Sequence, residues 1–526
     1  MPIVNFINQN VKADVPNGTP LVAAARTAGV TIETPCNGLG TCGKCKVRLA
    51  ENQQEVLACQ IKVERNIDII FCEKTEENRN VRIISSGRTF DYAVKPYITK
   101  KSDGQKTKVF GGKTLLGTED LDTANQIYGI ALDIGTTTMV AELYKLADGK
   151  FLARESMLNP QSAYAQDVLS RIHFARNETG LNTLFEAFLT AFGTLRDSVT
   201  KAAQVDPKYI YEVVFSGNTC MLHLATNTDP SPLGKYPYLS NIKGGEIIPA
   251  AGLGISNFGI VYLPPIISAF VGADITSGIF ITKLKEKQGK TLFIDIGTNG
   301  EIVMADNGRL AAASTAAGPA FEGMNIACGM RASPGAIEQF AIDEKGSFSF
   351  KTVGGGTAAG ICGSGLLDIA GELVRTGVID KTGKFDKSNP LVKEQNNRPA
   401  IFITDDVFFT LQDIRQVQLA KGAIRAGITA LLNTLGLDSG DIDEVLIAGS
   451  FGYHLSESSL FNIGLLPPGL QGKIQFIGNT SQSGATAFLL NAEFRKTIPE
   501  IIESIEKIEL AGTPDFQDIF VQSLGF

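Results

Sequence analysis

The pattern of hydrophobic and polar residues divides the chain into an N-terminal and a C-terminal part. Residues 1–78 predict a small β-rich module, because "IVNFINQNVKADVP" alternates like a hairpin and "TPLVAAARTAG" has helical spacing. The stretches "KCKVRLAE" and "IDIIFCE" predict later strands of this module. From Tyr128 onward the chain alternates between apolar strands, glycine-rich turns and long helices. The sequence therefore predicts a multidomain protein of mixed α/β and α+β class.

One pattern occurs twice in the C-terminal part. "YGIALDIGTTTMVAELY" at residues 128–144 and "TLFIDIGTNGEIVMA" at residues 291–305 each contain an apolar strand, Asp-Ile-Gly-Thr and a second strand. This order predicts a β-hairpin with small polar residues at its tip. "DEVLIAGSFG" at residues 443–452 predicts a further buried strand that runs into a glycine-containing turn. The repetition predicts a duplicated fold with two lobes, at residues 128–290 and 291–526.

The stretch between the two parts, residues 79–127, differs from both in its charge. Lysines outnumber acidic residues in its centre, where only Asp103 opposes Lys95, Lys100, Lys101, Lys106, Lys108 and Lys113. Glycines are interspersed among these lysines. The composition favours a solvated linker, and the alternative is a docking surface for an acidic partner.

Composition limits the class of protein. At 526 residues, with 44% hydrophobic and 20% charged residues, the chain is an ordinary globular protein that is too long for one core. Its net charge of −7 argues against a general nucleic-acid binder. The N-terminus lacks the apolar segment of a signal peptide, and no apolar run is long enough to span a membrane. We therefore expect a cytoplasmic protein in a reducing compartment.

Four cysteines of the N-terminal module have the spacing Cys36-x5-Cys42-x2-Cys45-x13-Cys59. A zinc site usually contains two C-x2-C pairs, and this cluster contains one. A disulfide framework does not fit eight cysteines in a chain of this length and compartment. Three thiolates on one glycine-rich loop and a fourth from a later strand favour an iron–sulfur cluster, because the glycines let backbone amides approach the sulfides.

The same stretch resembles the 2Fe–2S ferredoxins over about the first 75 residues. "CNGLGTCGKCKV" and "LACQ" carry the resemblance, which implies a β-grasp fold and a 2Fe–2S cluster held by Cys36, Cys42, Cys45 and Cys59. The first gap has five residues instead of the four of the plant-type pattern, as in vertebrate-type and bacterial relatives. Cys72 is an alternative fourth ligand, placed outside the set because "IDIIFCE" predicts the closing strand. Small buried side chains are expected at Cys220, Cys328 and Cys362.

The chemistry of the two Asp-Ile-Gly-Thr tips suits a nucleotide. Backbone N–H groups and hydroxyls of such a turn converge on phosphate oxygens, while the aspartate holds Mg²⁺, usually through water. Asp133 and Asp295 are therefore the candidates for holding Mg²⁺ and orienting water. Neither is assigned as a general base, and the alternative is a pair of buried aspartates that cap the hairpins.

Together with "AGSFG", the two tips resemble the phosphate-1, phosphate-2 and adenosine motifs of the superfamily of acetate kinase, sugar kinases, Hsp70 and actin. The resemblance implies two ribonuclease H-like lobes that bind ATP and Mg²⁺. It assigns the first phosphate hairpin to Asp133, Gly135, Thr136, Thr137 and Thr138. It assigns the second hairpin to Asp295, Gly297, Thr298, Asn299 and Gly300. The adenosine motif is assigned to Gly449, Ser450 and Gly452.

The sequence contains two further features, the start of a glycine-rich helix and three histidines, outside the assigned motifs. "GICGSGLLD" begins a predicted helix, whose N-terminus either faces a phosphate or ribose or forms a tight helix-packing turn at Gly363, Ser364 and Gly365. The three histidines form no metal or triad pattern, and structural roles are expected for His173, His223 and His454.

Over nearly its whole length the chain resembles the reductive activators of corrinoid proteins. The stretches "LNPQSAYAQDVLSRI", "SGNTCMLHL", "PPIISAFVGADITSG" and "TAAGPAFEG" are similar to the ATP-binding part of that family. The resemblance implies ATP-dependent reduction of an inactive Co(II) corrinoid to Co(I) in a partner corrinoid protein, within anaerobic one-carbon and O-demethylation metabolism. It also implies a homodimer and a low-potential electron donor of unknown identity. Some members carry a middle domain before the ATP-binding domain, and residues 73–127 are too few for one here.

Other functions are compatible with parts of the pattern. A small-molecule kinase with a redox-sensing module would need a sugar-like pocket, and the chain contains no recognisable sugar-binding motif. A redox-sensing regulator that binds ATP without hydrolysing it would not be a corrinoid-stimulated ATPase. Activators of radical dehydratases hold one cluster between two subunits, which differs from the internal set that runs from Cys36 to Cys59.

Overall fold

The computed structural model describes residues 1–30, 32, 45–70, 87–250, 252–395, 397–449, 455–513 and 515–526. The chain divides into two compact units. Unit 1 consists of Met1–Arg82, Ser162–Gln166 and Pro319–Gln418, and unit 2 of Ile83–Gln161, Asp167–Gly318 and Leu419–Phe526. Among the helices of the described residues, none combines the length and the apolar character needed to cross a membrane.

Both units contain strands and helices among the described residues. The strands are β1 (Ile3–Phe6), β2 (Val11–Asp14), β3 (Thr19–Pro20), β4 (Lys46–Leu49), β5 (Glu55–Leu57), β6 (Lys62–Val63), β7 (Ile67–Ile70), β8 (Ile98–Ser102), β9 (Thr107–Gly111), β10 (Thr114–Glu119), β11 (Tyr128–Ile134), β12 (Thr138–Lys145), β13 (Lys150–Leu158), β14 (Ile210–Gly217), β15 (Glu246–Pro249), β16 (Ile260–Leu263), β17 (Lys290–Ile296), β18 (Gly300–Asp306), β19 (Arg309–Thr315), β20 (Ala336–Ile342), β21 (Phe348–Thr352), β22 (Gly360–Ile361), β23 (Val392–Gln395), β24 (Arg398–Phe402), β25 (Phe408–Thr410), β26 (Glu444–Ala448), β27 (Ile474–Gly478) and β28 (Glu506–Lys507). The α-helices are α1 (Leu21–Thr27), α2 (Val168–Phe174), α3 (Glu178–Ala203), α4 (Thr219–Ala225), α5 (Ala273–Ile281), α6 (Gly363–Arg375), α7 (Leu411–Thr434), α8 (Glu457–Asn462), α9 (Thr480–Leu490), α10 (Phe494–Glu503) and α11 (Phe516–Gln522).

The N-terminal segment of unit 1 forms a five-stranded sheet in the order β2-β1-β7-β4-β5. β1 pairs antiparallel with β2 and parallel with β7, while β4 pairs antiparallel with β7 and β5. Alternating apolar side chains such as Val4, Phe6 and Ile69 are fully buried with Leu21 of α1. The predicted hairpin, helix and later strands are thus present, in a β-grasp arrangement. Two small three-stranded sheets, β21-β20-β22 and β23-β24-β25, complete the unit.

Unit 2 contains two six-stranded sheets, of which five strands in each share one topology. Their orders are β13-β12-β11-β14-β16-β15 and β27-β26-β17-β18-β19-β28. In the first, the antiparallel meander β11-β12-β13 is extended by the parallel strands β14 and β16. In the second, the meander β17-β18-β19 is extended by the parallel strands β26 and β27. The predicted duplication into two ribonuclease H-like lobes is confirmed, and each repeated Asp-Ile-Gly-Thr motif forms the first hairpin of a lobe.

The lysine-rich stretch is folded where a solvated linker is predicted from the sequence. Strands β8, β9 and β10 form a three-stranded antiparallel sheet that belongs to unit 2. The Lys100 side chain is only 1% exposed and its ammonium lies 2.7 Å from a Glu119 carboxylate oxygen. It also donates hydrogen bonds to Thr123 and Tyr211, over distances of 2.6 and 2.7 Å. A count of lysines along the sequence cannot distinguish such a paired, buried lysine from a solvated one.

Helices α5 and α9 lie against each other in the centre of unit 2. A Cβ atom on Gly484 of α9 would lie 2.4 Å from the Cβ of Ser277 on α5, so the two helices cross in close contact. The same close approach occurs at Gly278, whose Cβ would lie 2.6 Å from the ring of Phe293 on β17. The crossing therefore lies beside β17, the strand that carries Asp295, against which α5 packs closely.

Candidate nucleotide site and cysteine site

Asp133 and Asp295 occupy equivalent positions near the ends of β11 and β17. Asp133 is in register with Ser216 of the parallel strand β14, and Asp295 with Ala448 of the parallel strand β26. Because the two lobes repeat one topology, the duplicated motif delivers one carboxylate from each lobe. This equivalence is the geometry expected of two phosphate hairpins.

A glycine lies at the end of the neighbouring parallel strand in each lobe: Gly217 is the last residue of β14, and Gly449 follows β26. A Cβ atom on Gly217 would lie 2.6 Å from the carbonyl oxygen of Ile134, and one on Gly449 would lie 2.4 Å from that of Ile296. Gly449 also has a φ of +121°, and its Cβ would lie 3.3 Å from a carboxylate oxygen of Asp295. The first glycine of the predicted adenosine motif is therefore required by close backbone approach beside Asp295. Ser450 and Gly452 lie outside the described residues.

Both hairpin tips are tight turns. In the first, the N–H of Gly135 donates to the carbonyl of Thr138 over 2.8 Å. In the second, the N–H of Gly297 donates to the carbonyl of Asn299 over 3.0 Å. Turns of this size bring successive backbone amides and hydroxyls together, which is how such loops bind phosphate.

Four carboxylates of unit 2 are close enough to repel one another. Burial raises the pKa of Asp295 to about 8, with further contributions from Asp274 and Asp133. Burial and the charge of Asp133 raise the pKa of Asp274 to about 7. Burial, Asp274 and Asp295 raise the pKa of Glu301 well above its usual range. A cation relieves this combination of desolvation and like charge, and carboxylate oxygens are the donors that Mg²⁺ prefers.

Asp133 is held by side chains from the other lobe. Its two carboxylate oxygens accept hydrogen bonds from Asn479 Nδ2 over 2.7 Å and from Ser481 Oγ over 2.6 Å. Ser481 continues into a buried chain of hydroxyls, 2.9 Å from Ser216, which is in turn 3.0 Å from Ser277. Burial nevertheless raises the pKa of Asp133. The carboxylate therefore has a fixed orientation before any ligand binds.

Several of these residues escape prediction from the sequence alone. Asp274 and Glu301 add acidic groups to the predicted pair, and Asn479 and Ser481 fix one of its members. Asp274 lies in "PPIISAFVGADITSG" and Glu301 directly follows the second hairpin tip, both in stretches that the sequence analysis singles out. Asn479 is the N-cap of α9, so its sequence signal is that of an ordinary helix start.

The glycines at the start of α6 have a packing role. A Cβ atom on Gly363 would lie 1.9 Å from the carbonyl oxygen of Phe321, and one on Gly365 would lie 2.1 Å from that of Ile337. All four residues belong to unit 1, as does the buried Ser364, whereas the phosphate hairpins belong to unit 2. The close contacts favour the tight helix-packing turn over a nucleotide contact, which stays a prediction for these residues.

Two of the four predicted cluster ligands lie in the described part of the chain. Cys45 is buried at the start of β4 and Cys59 is half-buried in the turn after β5, and neither forms a disulfide. The N–H of Ala58 donates to the carbonyl of Cys45 over 2.8 Å, which brings the two cysteines to one end of the β4–β5 hairpin. Two unbridged thiols at one hairpin end fit a shared cluster.

Cys36, Cys42 and the alternative ligand Cys72 lie outside the described residues. Within them, no group of three or more histidine, cysteine, aspartate or glutamate side chains is placed to hold a metal ion. The complete four-cysteine site is thus a prediction that rests on the spacing and on the placement of its two described members.

His223 has the structural role expected of it. Its Nε2 accepts a hydrogen bond from the N–H of Asn241 over 3.2 Å, so its Nδ1 carries the proton and donates to the carbonyl of Thr219 over 2.7 Å. The ring is fully buried, and burial lowers its pKa. His173 is exposed, and His454 lies outside the described residues.

Because the folded protein keeps His223 neutral, its contribution to stability depends on pH. Below about pH 6.5 the histidine of the unfolded chain binds a proton that the folded chain resists, so the free energy of unfolding falls as pH falls. We expect the stability advantage of the wild type over His223→Asn to shrink by up to about 1.4 kcal/mol per pH unit in that range. Unfolding by urea between about pH 8 and pH 5.5 measures it, with His173→Asn as the exposed control. An advantage independent of pH would contradict this role for His223.

The fold and the two sites define the class of protein: a 2Fe–2S ferredoxin module joined to an ATP-binding fold of the acetate kinase, sugar kinase, Hsp70 and actin type. The matching family models support this class. Residues 5–64 match the 2Fe–2S iron–sulfur cluster binding domain, residues 128–287 the RACo middle region, and residues 289–526 the C-terminal ASKHA domain of RACo. The matched middle region coincides with the first predicted lobe, and the expectation that residues 73–127 are too few for an additional domain stays a prediction.

Individual relatives cover almost the entire chain. The chain is 32% identical to the corrinoid activation enzyme RamQ of Eubacterium limosum, over 95% of this chain and 94% of that protein. It is 26% identical to the [Co(II) methylated amine-specific corrinoid protein] reductase of Methanosarcina barkeri, over 76% of this chain and 77% of that protein. The solved structure of a reductive activator for corrinoid, iron–sulfur protein matches with a TM-score of 0.76 and 31% identity. The match covers 100% of this chain and 98% of that chain. The chain belongs to the family of reductive activators of corrinoid proteins.

Proposed function

We propose that this protein reduces the inactive Co(II) corrinoid of a partner corrinoid protein to Co(I), and that binding and hydrolysis of MgATP drive the reduction. The observation that carries the proposal is the pair Asp133 and Asp295, presented at equivalent places of two lobes in a chain that also carries the ferredoxin cysteines. The names of the relatives, an activation enzyme and a Co(II) corrinoid protein reductase, support the same reaction.

Energetics explain why a nucleotide is needed. When bound by Cys36, Cys42, Cys45 and Cys59, a 2Fe–2S cluster supplies a one-electron carrier, whose potential in plant-type proteins is about −400 mV. Each ~59 mV by which the cobalt couple lies lower opposes transfer of one electron by a factor of ten. Hydrolysis of ATP to ADP and phosphate supplies free energy that offsets this unfavourable difference in potential, so that the electron is transferred to Co(II).

The chain's own residues bind and orient the nucleotide. The turns at Gly135 and Gly297 bind phosphate oxygens, and Gly449 lets the turn after β26 pack against β17 beside Asp295. Asp133, fixed by Asn479 and Ser481, and Asp295 hold Mg²⁺ and orient water. Bound Mg²⁺ neutralises phosphate charge. Binding of MgATP would thus offset the repulsion between the carboxylates, because they would face a cation.

The nucleotide acts on the partner through the two lobes. The close crossing of α5 and α9 joins the lobes next to the Asp133 network, so opening and closing of the lobes pivots there. A lobe arrangement that binds the Co(II) form of the partner more tightly than the Co(I) form releases the product after electron transfer. The protein acts as a cytoplasmic homodimer that receives electrons from a low-potential donor, in anaerobic one-carbon and O-demethylation metabolism.

The test is an anaerobic mixture of the reduced protein, the partner in its Co(II) form and MgATP. The absorbance of Co(I) is expected to rise only when MgATP is present. Transfer of phosphate from ATP to a metabolite, without any Co(I), would instead favour the small-molecule kinase.

A further inference from the structure

The tip of the first phosphate hairpin is tied to the protein from one side by Asn159. Its side-chain amide donates to the carbonyl of Gly135 over 2.8 Å, and its backbone N–H donates to the carbonyl of Thr137 over 2.8 Å. Asn159 is only 1% exposed and directly follows β13. One buried residue therefore fixes two of the carbonyl groups that surround Thr136.

The third carbonyl of the tip is bound by a buried cation. Arg171 of α2 is completely buried, and its Nη2 donates to the carbonyl of Thr136 over 2.6 Å. Its Nη1 lies 3.3 Å from Gln161 Oε1 and 2.9 Å from Met221 Sδ. Burial of a guanidinium is costly unless its hydrogen bonds are made, so this geometry is strongly determined. Asn159 and Arg171 together are called the brace.

The brace determines which way the amides of the tip point. In a trans peptide the N–H is antiparallel to the C=O, and the described residues have a cis bond only at Tyr236–Pro237. Because the carbonyls of Gly135 and Thr136 point toward the brace, the N–H groups of Thr136 and Thr137 point away from it. The charge of Arg171 also polarises the peptide it binds, which strengthens the N–H at the other end of that peptide as a donor.

In the second hairpin, a backbone amide binds the matching carbonyl. The carbonyl of Thr298, which corresponds to that of Thr136 in the repeated motif, accepts a hydrogen bond from the backbone N–H of Gly318 over 2.8 Å. The duplication has produced two similar turns, of which the first is backed by a buried positive charge.

We propose that Arg171 and Asn159 are positioning residues for the nucleotide, which hold the first hairpin so that the N–H groups of Thr136 and Thr137 bind phosphate oxygens. This inference rests on the proposed function, because it requires that a nucleotide binds at the hairpins. It assigns a role to "LNPQSAYAQDVLSRI", whose Asn159 and Arg171 reach the hairpin from both ends of the stretch.

The test compares Arg171→Met, Arg171→Lys and the matched control Arg176→Met, which removes an exposed arginine from the end of the same segment. We expect Arg171→Met to raise the Kd for MgATP by about tenfold to a hundredfold, since it removes a charge-assisted hydrogen bond that aims the tip. Arg171→Lys keeps the charge and should lose less affinity for MgATP than Arg171→Met. Arg176→Met should bind MgATP as tightly as the wild type. In steady-state hydrolysis the KM for ATP should rise more than kcat falls.

Wild-type affinity in a folded Arg171→Met variant would overturn the inference and leave the proposed function intact. If the wild type itself failed to bind MgATP, the proposed function and this inference would both fail. Should Arg171→Met not fold, hydrogen exchange of the wild type gives the answer. The amides of residues 135–138 should gain protection when MgATP is added, and unchanged exchange there would refute the inference.

Discussion

Cys59→Ala is expected to abolish delivery of electrons to the corrinoid while leaving nucleotide binding unchanged. Cys59 lies in the turn after β5, where the bond between Ala58 N–H and the carbonyl of Cys45 fixes the two described cysteines at one hairpin end. Removing one of four thiolates leaves an iron without its ligand, and iron content should fall from about two per chain to near zero. The electron paramagnetic resonance signal of the reduced protein should disappear with it.

The matched control is Cys72→Ala, which removes the other candidate for the fourth ligand. It should retain the iron, the visible absorption and the resonance signal of the wild type. If Cys72→Ala lost the cluster and Cys59→Ala kept it, the proposed ligand set would be wrong. Binding of MgATP, measured on both variants, shows whether each remains folded in the nucleotide-binding part.

Asp295→Asn is expected to lower ATP hydrolysis by at least about a hundredfold, because metal-assisted charge stabilisation contributes several kcal/mol to such reactions. Burial and the nearby Asp274 and Asp133 raise the pKa of Asp295 to about 8, so its charge is costly in the unliganded protein. The amide keeps the shape of the side chain and removes that repulsion. The variant should therefore be as stable as the wild type or more stable, while it loses activity.

Asp306→Asn provides the control at the opposite end of the same hairpin. Asp306 is half-buried and accepts a hydrogen bond from Asn307 over 2.9 Å, away from the predicted phosphate turn. Hydrolysis of ATP and the temperature of unfolding should stay close to the wild-type values. Full ATPase activity in Asp295→Asn, or a loss of activity that merely follows unfolding, would contradict the assigned role.

The two variants separate the two halves of the mechanism. Cys59→Ala should bind MgATP without reducing Co(II), whereas Asp295→Asn should carry a reducible cluster without responding to ATP. A small-molecule kinase would differ in one respect, because its transfer of phosphate would not depend on Cys59.

The parts of the fold with local sequence patterns could be predicted well. The two hairpins combine alternating apolar residues with a glycine turn, so their strands and tips follow from neighbouring residues. The equivalence of Asp133 and Asp295 follows from repetition of one motif. The hairpin, helix and strands of the N-terminal module were predictable for the same reason.

Contacts between distant residues could not be predicted in this way. Asn479 and Ser481 bind Asp133 across 346 and 348 positions of the chain, and their own sequence context indicates only a helix start. The sequence predicts a solvated Lys100, because its partner Tyr211 lies 111 positions away in β14 and leaves no trace in the local composition. Buried charges are determined by such tertiary partners, which periodicity and local composition do not contain.

In the proposed mechanism, ATP drives electron transfer from this protein to a Co(II) corrinoid. The most direct measurement is anaerobic stopped-flow absorbance of Co(I), after mixing the pre-reduced protein and its Co(II) partner with MgATP, with MgADP or with Mg²⁺ alone. The mechanism predicts formation of Co(I) with MgATP and little with either control. Formation of Co(I) at the same rate and yield without ATP would contradict it.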